Sequence, residues 1–430
     1  MSRARAALLA LALTGCKRGC AGDAPPAEPA AHHEAPQPPP PPLTLSPRCV
    51  REIVRAPVVT APGTGAIDTI APTCSGGTLA LFVVRGHTLS RLTRSTAAAS
   101  GFDAPETWST GVDRLGPVAP DAVRGPVTWR SPLAGIDPDE RDDLWAAALG
   151  EGDAGVVVTR GDALLPAGIA GIGAPVVQER SAAGVTLLAT VARPQEGPFT
   201  ARVRVTLGRD EPAQPTELPT WAEGELKAWE PSRGVGLARV ETPGGAWLEA
   251  TWAAGGARVR HQLGGRHALV APRGVAVGGR SVFGVGEFER GAGDAGACLV
   301  MGEGMCVRPT GMYALVAGAP GAALERVELA EAGLPDAIAA RGDALWVLYL
   351  APEDDGNGAQ TPSQRAARVD LAHREVTPLV LSPPRGFGAI DGPTLVACDD
   401  GVWMAAELVT DEDAGARGSV TALPLECFAR

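Results

Sequence analysis

The chain has 430 residues, of which 45% are hydrophobic and 20% charged, and a formal charge of -11. That composition supports a sizeable apolar core and excludes a disordered polyelectrolyte. The acidic balance speaks against nucleic acid as a partner, because a phosphate backbone calls for a basic face.

The first fifteen residues read as a targeting segment. Arg3 and Arg5 form a positive start, and residues 6–13 form an apolar run too short to cross a bilayer, which takes roughly 20 residues. The run ends in Leu13-Thr14-Gly15-Cys16. This arrangement resembles the lipobox signal of bacterial lipoproteins. The resemblance implies cleavage after Gly15, a diacylglyceryl thioether on Cys16 with acyl chains such as palmitate, and attachment to a membrane of the cell envelope (the outer membrane or the periplasmic face). Each buried lipid methylene contributes about 0.8 kcal/mol, so two or three chains hold firmly. Loss of Arg3 and Arg5 with the signal takes the charge from -11 to -13.

Residues 16–47 carry Pro36 and an unbroken proline run at 38–42. Prolines favour extended polyproline II and give little apolar surface to bury, so the segment reads as a semi-rigid tether. His32-His33-Glu34 lies within it and reads as linker, since no second shell would fix a metal there.

From residue 48 to the C-terminus, short β-branched or aromatic runs alternate with Gly, Pro and Asp, which reads as all-β. Residues 324–334 are the best helix candidate, with a strand at 326–329 followed by a loop as the alternative. A unit recurs, in which a turn residue opens a run bearing a large apolar side chain. Its copies begin at Gly77, Asp143, Gly184, Gly245, Arg280, Asp343 and Asp400. The mean spacing is about 54 residues with wide scatter, near the length of a four-stranded propeller blade. The pattern resembles β-propellers over residues 48–430, without the WD40 pairing or an Asp-box. It implies about seven blades, with six to eight allowed. Trp145, Trp247, Trp346 and Trp403 then fill the space between blades. Tandem β-sandwich domains are the alternative architecture.

Eight cysteines occur. With Cys16 lipidated and Cys20 in the tether, six remain in the body, an even number that points to disulfides in an exported protein. Cys298 and Cys306 flank a Gly-containing turn and read as a hairpin bridge. For Cys49, Cys74, Cys398 and Cys427 the expectation is local pairing, Cys49–Cys74 and Cys398–Cys427. The alternative is Cys49–Cys427, clasping first strand to last blade.

No nucleophile elbow, zinc helix, phosphate loop or Cys-x-x-Cys is present. The body has four histidines, His87, His261, His267 and His373, too dispersed for a metal or base site. Glu353, Asp355 and Asn357 alternate as oxygen ligands ahead of Gly358 and form a weak calcium candidate, which lacks the closing bidentate Glu because Gln364 stands there. A long hairpin loop is the alternative for that stretch. Two Arg-Gly-Asp triplets, at 160–162 and 341–343, fall where turns are expected. Good repeats without a catalytic constellation point to a membrane-anchored binding or scaffold module with an unidentified protein or glycan partner and no resident cofactor. The alternative is a propeller-type hydrolase or lyase acting on glycan or peptide through carboxylates in the channel.

Overall fold

In a computed structural model, the described residues form thirty strands in seven separate antiparallel sheets. The structure describes residues 47–49, 52, 59–65, 67–96, 101–110 and, with short gaps, 224–428. Between 114 and 217 it describes strand pairing, and among side chains there only Val176 and Leu188. Cys16, Cys20 and the Pro-rich stretch lie outside the described residues. No helix among the described residues is long and apolar enough to cross a membrane.

Five of the sheets are meanders of consecutive strands, and the third and fifth depart from that order at an edge. The first takes Ile67–Ser75, Thr78–Arg85, Thr88–Ser95 and Glu106–Thr110, and the second takes Arg114–Leu115, Thr128–Pro132, Asp143–Ala148 and Val156–Arg160. The third runs Val176–Ser181, Gly184–Arg193, Gly197–Thr206 and Gln214–Glu217, with Ala170–Gly171 alongside. The fourth runs Glu225–Glu230, Val235–Thr242, Gly245–Trp252 and Arg258–Gln262. In the fifth both edge strands are broken: His267–Val270 and Val275–Val277 pair with Arg280–Gly291 on one side, and Leu299–Met301 and Glu325–Glu328 pair with Met305–Ala317 on the other. The sixth comprises Leu334–Arg341, Ala344–Asp354, Gln360–Asp370 and Glu375–Val380. The seventh has Ala389–Cys398, Gly401–Val409 and Ser419–Pro424. Its missing edge partner comes from the other end of the chain, where Val59 and Val420 exchange both backbone hydrogen bonds, at 2.9 and 3.0 Å.

The burial pattern follows from where each strand stands in its sheet. Thr78–Arg85, a second strand, is buried at seven of eight positions on both faces. The fourth strand Arg258–Gln262 alternates exposed and half-buried residues, as one wetted face requires. Apolar faces meet between consecutive sheets. Trp229 joins Val176 and Leu188 between sheets three and four, and Leu248 meets Phe283 between four and five. Val282 meets Leu345 between five and six, and Leu348 meets Met404 between six and seven. The first and seventh sheets also meet: Leu79, Leu81 and Val83 of the first pack with Val396, Trp403 and Ala405 of the seventh.

Covalent and ionic contacts reinforce that last junction. Two disulfides lie there, Cys49–Cys427 and Cys74–Cys398. The expected local pairing is therefore wrong, and the terminal clasp is right. Cys74 and Cys398 stand at or next to the ends of the leading strands of the first and seventh sheets, and those two strands lie against each other, which brings the cysteines together. Cys427 is presented by a single 3-10 turn, Leu425–Cys427. Arg48 bonds Asp400 at 2.9 Å, and Asp400 also accepts from the Trp403 indole at 2.9 Å. Arg94 and Glu52 form an ion pair at 2.9 Å with both side chains buried. Cys306 is disulfide-bonded, and its expected partner Cys298 lies outside the described residues.

Other expectations divide. Residues 324–334 contain the strand Glu325–Glu328 and not a helix, because that stretch completes the edge of the fifth sheet. Trp403 is fully buried between sheets, but Trp247 and Trp346 are only half-buried. Trp346 instead lies under the Arg368 guanidinium, 6.0 Å from its ring. Other buried indoles among the described residues are Trp229 and Trp252. The second Arg-Gly-Asp triplet is a hairpin turn, with Gly342 at φ +60 supplying the left-handed conformation such turns need.

Candidate binding cavity

Five leading strands from distant parts of the chain, in sheets one, four, five, six and seven, line one cavity of about 210 Å³. Cys74, Ile338 and Leu395 contribute apolar surface to its wall, and Glu230, Ser232 and Arg273 bring polar groups to it.

The strand Glu225–Glu230 ends in the turn Pro231-Ser232-Arg233-Gly234, and Glu230 caps that turn with its own side chain. Its Oε1 accepts the Ser232 amide at 2.8 Å and the Ser232 hydroxyl. Its Oε2 accepts the Arg233 amide at 3.1 Å and the Ser281 hydroxyl at 3.0 Å. Four donors satisfy a carboxylate that is only 1% exposed, which is the condition for burying it at all. Arg233 fastens the turn to the fifth sheet by donating to the carbonyls of Ala317 at 3.1 Å and Gly318 at 3.0 Å.

Arg273 arrives through a break in a strand. Val270 pairs with Val285 and Val275 with Val282, so four residues, 271–274, oppose two. Such a bulge re-aims side chains that strict alternation would bury. The extra loop is pinned to the neighbouring strand: the Trp229 amide donates to the Pro272 carbonyl at 3.3 Å, and the Gly274 amide to the Trp229 carbonyl at 2.9 Å. Only glycine permits that approach, because a Cβ at Gly274 would lie 2.5 Å from the Phe283 ring and 2.8 Å from the Glu230 Cβ. The Arg273 side chain is half-buried, its Nε is shielded and has no acceptor, and it forms no ion pair among the described residues. Burial pulls its pKa below the usual arginine value, and the Glu230 carboxylate pushes the other way. The group remains a cation, as guanidinium does in proteins.

Bulges recur in the leading strands of sheets one, three, four, six and seven, at 67/69, 177/179, 226/228, 335/337 and 391/394. In two of these sheets acidic groups with displaced titrations result. Asp336 sits within the bulge at 335/337; burial raises its pKa to about 6, and a 3.4 Å hydrogen bond from Gln364 opposes the rise. Asp391 faces Glu407 directly across the pair, and Glu407 is raised by burial first and by the Asp391 charge second. The Ile67 amide and Arg85 counter part of that shift.

The sites expected from sequence fare differently. Glu353 is exposed in a strand with Arg365 3.9 Å away, and Asp355 and Asn357 lie outside the described residues. No metal-holding group of three His, Cys, Asp or Glu side chains occurs among the described residues. His373 is exposed and bonds Asp370 at 3.0 Å, while His261 is half-buried, with its pKa lowered chiefly by burial and next by Arg326. Arg273 was not singled out by motif reading. Its signal is Pro272-Arg273-Gly274 interrupting an otherwise continuous apolar strand. Val380 is the one large apolar side chain left exposed among the described residues, so a flat apolar docking patch is not found there.

No family model matches the chain, and no curated protein matches it. Among solved structures it is similar to a prolyl endopeptidase, at 12% identity and TM-score 0.49, over 89% of this chain and 50% of that one. It is also similar to the phage phi92 endosialidase, at 10% identity and TM-score 0.42, over 86% of this chain and 68% of that one. The NanB sialidase of Streptococcus pneumoniae matches at 10% identity and TM-score 0.36, over 87% of this chain and 70% of that one. The chain thus spans about half the length of the endopeptidase it resembles.

Proposed function

We propose that residues 48–430 form a seven-bladed β-propeller, that lipid on Cys16 tethers it to a membrane of the cell envelope, and that its central channel is a ligand-binding module. The observation that carries the reading is the cavity, which five leading strands line together. Radial packing supports it as well: each described core cluster lies between consecutive sheets, and the last sheet meets the first. Tandem sandwiches would supply two cores and no such return. Binding is favoured over catalysis because Glu230, the carboxylate at the cavity, already accepts four hydrogen bonds and is committed to holding its turn. Hydrolysis of glycan or peptide remains the second reading, with Asp391 and Glu407 as the acid pair, since one is raised beside the other.

Two variants test the two halves of the reading. Cys16→Ser should move the protein from the membrane to the soluble envelope fraction, and an unchanged distribution would refute the anchor. Ala276→Phe places a ring at the cavity rim from an exposed position, leaving the core intact. Partners cross-linked to the full-length protein in membrane extracts should change with Ala276→Phe, and an identical set would refute the channel as the binding site.

A further inference from the structure

The chemistry of the cavity specifies a ligand class, an inference that rests on the channel-binding reading above. We infer that the cavity binds a small organic monocarboxylate, with its carboxylate on the Arg273 guanidinium and its apolar part against Ile338 and Leu395.

Three observations lead there. The backbone on both sides of Arg273 is held in place, by the Trp229 backbone and by the close approach at Gly274, yet the shielded Arg273 Nε has no acceptor among the described residues. A partly desolvated guanidinium on a pinned backbone is a fork for a planar, two-oxygen anion, which it meets with two parallel hydrogen bonds. Charge then selects among anions. Glu230 contributes one negative charge beside Arg273, so the pair is neutral before a ligand enters. A dianion such as sulfate would bring two charges next to a buried carboxylate, whereas a monoanion adds one, which the guanidinium meets directly. Size and lining select the remainder. About 210 Å³ admits a small molecule and not a folded chain, and the aliphatic wall rewards a hydrocarbon body over a hydrated ion.

The test uses the full-length, detergent-extracted protein, titrated calorimetrically at low ionic strength with benzoate, with its neutral isostere benzamide, and with sulfate. Benzoate should bind saturably and at least about tenfold more tightly than benzamide or sulfate. Arg273→Gln should abolish that preference, and Arg273→Lys, which keeps the charge but not the fork, should retain a fraction of it. Should Arg273→Gln fail to fold, Ala276→Phe removes benzoate binding with Arg273 intact. Benzoate binding unchanged by Arg273→Gln, or no saturation below roughly 10 mM, overturns the carboxylate assignment. If benzoate fails while Ala276→Phe still alters the cross-linked partners, the ligand class falls and the channel reading stands. If neither responds, both fall.

Discussion

Removing the two disulfides singly and together tests whether the last sheet is truly closed on the first. Cys49–Cys427 spans 378 residues and Cys74–Cys398 spans 324, and the second loop is nested within the first. Either bridge alone, by restricting the unfolded chain, contributes a ceiling of about 6 kcal/mol in the loop-entropy treatment. Once one is formed, the other closes only the path through residues 49–74 and 398–427, roughly 55 residues, and adds about 4 kcal/mol. Replacing either pair by alanine therefore costs about 4 kcal/mol at most, but replacing both costs about 10, exceeding the sum of the singles by about 2 kcal/mol. For a body of this size that corresponds to a fall in melting temperature of about 5 °C for each single pair and about 12 °C for both. Thermal unfolding followed by circular dichroism, without reductant, measures all three variants. Losses that are simply additive, or a double variant milder than the sum, would refute the nested-loop reasoning and with it the terminal clasp.

Three further outcomes follow from particular side chains. Asp336 has a folded pKa of about 6, above its usual 3.8, so the stability it permits is full below pH 4 and is lost as pH rises through 6. Asp336→Asn should gain about 1–2 kcal/mol over the wild type at pH 7, allowing for partial screening, and nothing at pH 4; a urea-unfolding difference independent of pH would contradict this. Gly274→Ala forces the Phe283 ring and Glu230 apart and should lose about 1–3 kcal/mol in urea unfolding, whereas a neutral effect would show that the loop is not pressed on its neighbour. Glu52→Ala strands the buried Arg94 charge and should cost about 3 kcal/mol, and adding Arg94→Met should restore part of that; a double variant worse than the single would argue against an unpaired-charge penalty.

Much of the architecture could be read from the chain, and the reason is periodicity. Each of the seven recurring units begins a strand of a different sheet. The scatter in their spacing has a simple cause: Asp143 and Gly245 open third strands, whereas Gly77, Gly184, Arg280, Asp343 and Asp400 stand at the turn before second strands or begin them. Turn chemistry marks hairpins without saying which hairpin of a sheet it marks. The cysteine pairing was less legible because proximity along the chain is a poor guide when the first and last sheets adjoin. The cavity was hardest to see. Arg273 matters through a bulge, a pinned backbone and a shielded Nε without an acceptor, and none of these has a motif; a lone arginine between proline and glycine looks like any turn. Glu230 shows the reverse, an inward carboxylate whose hydrogen bonds make it structural.

The clasp at the chain ends also determines how the body bears load. If the proposed lipid anchor holds, a pull from the N-terminal side would reach the described residues near Cys49, which is bonded to Cys427. Tension entering there passes across a covalent bond before it reaches the hydrogen bonds between Val59 and Val420, which would otherwise unzip one after another. A body moored by its N-terminus would thus be held as a loop is held by a knot, with shear at the membrane swinging the whole body about residue 49 rather than peeling off its edge strand.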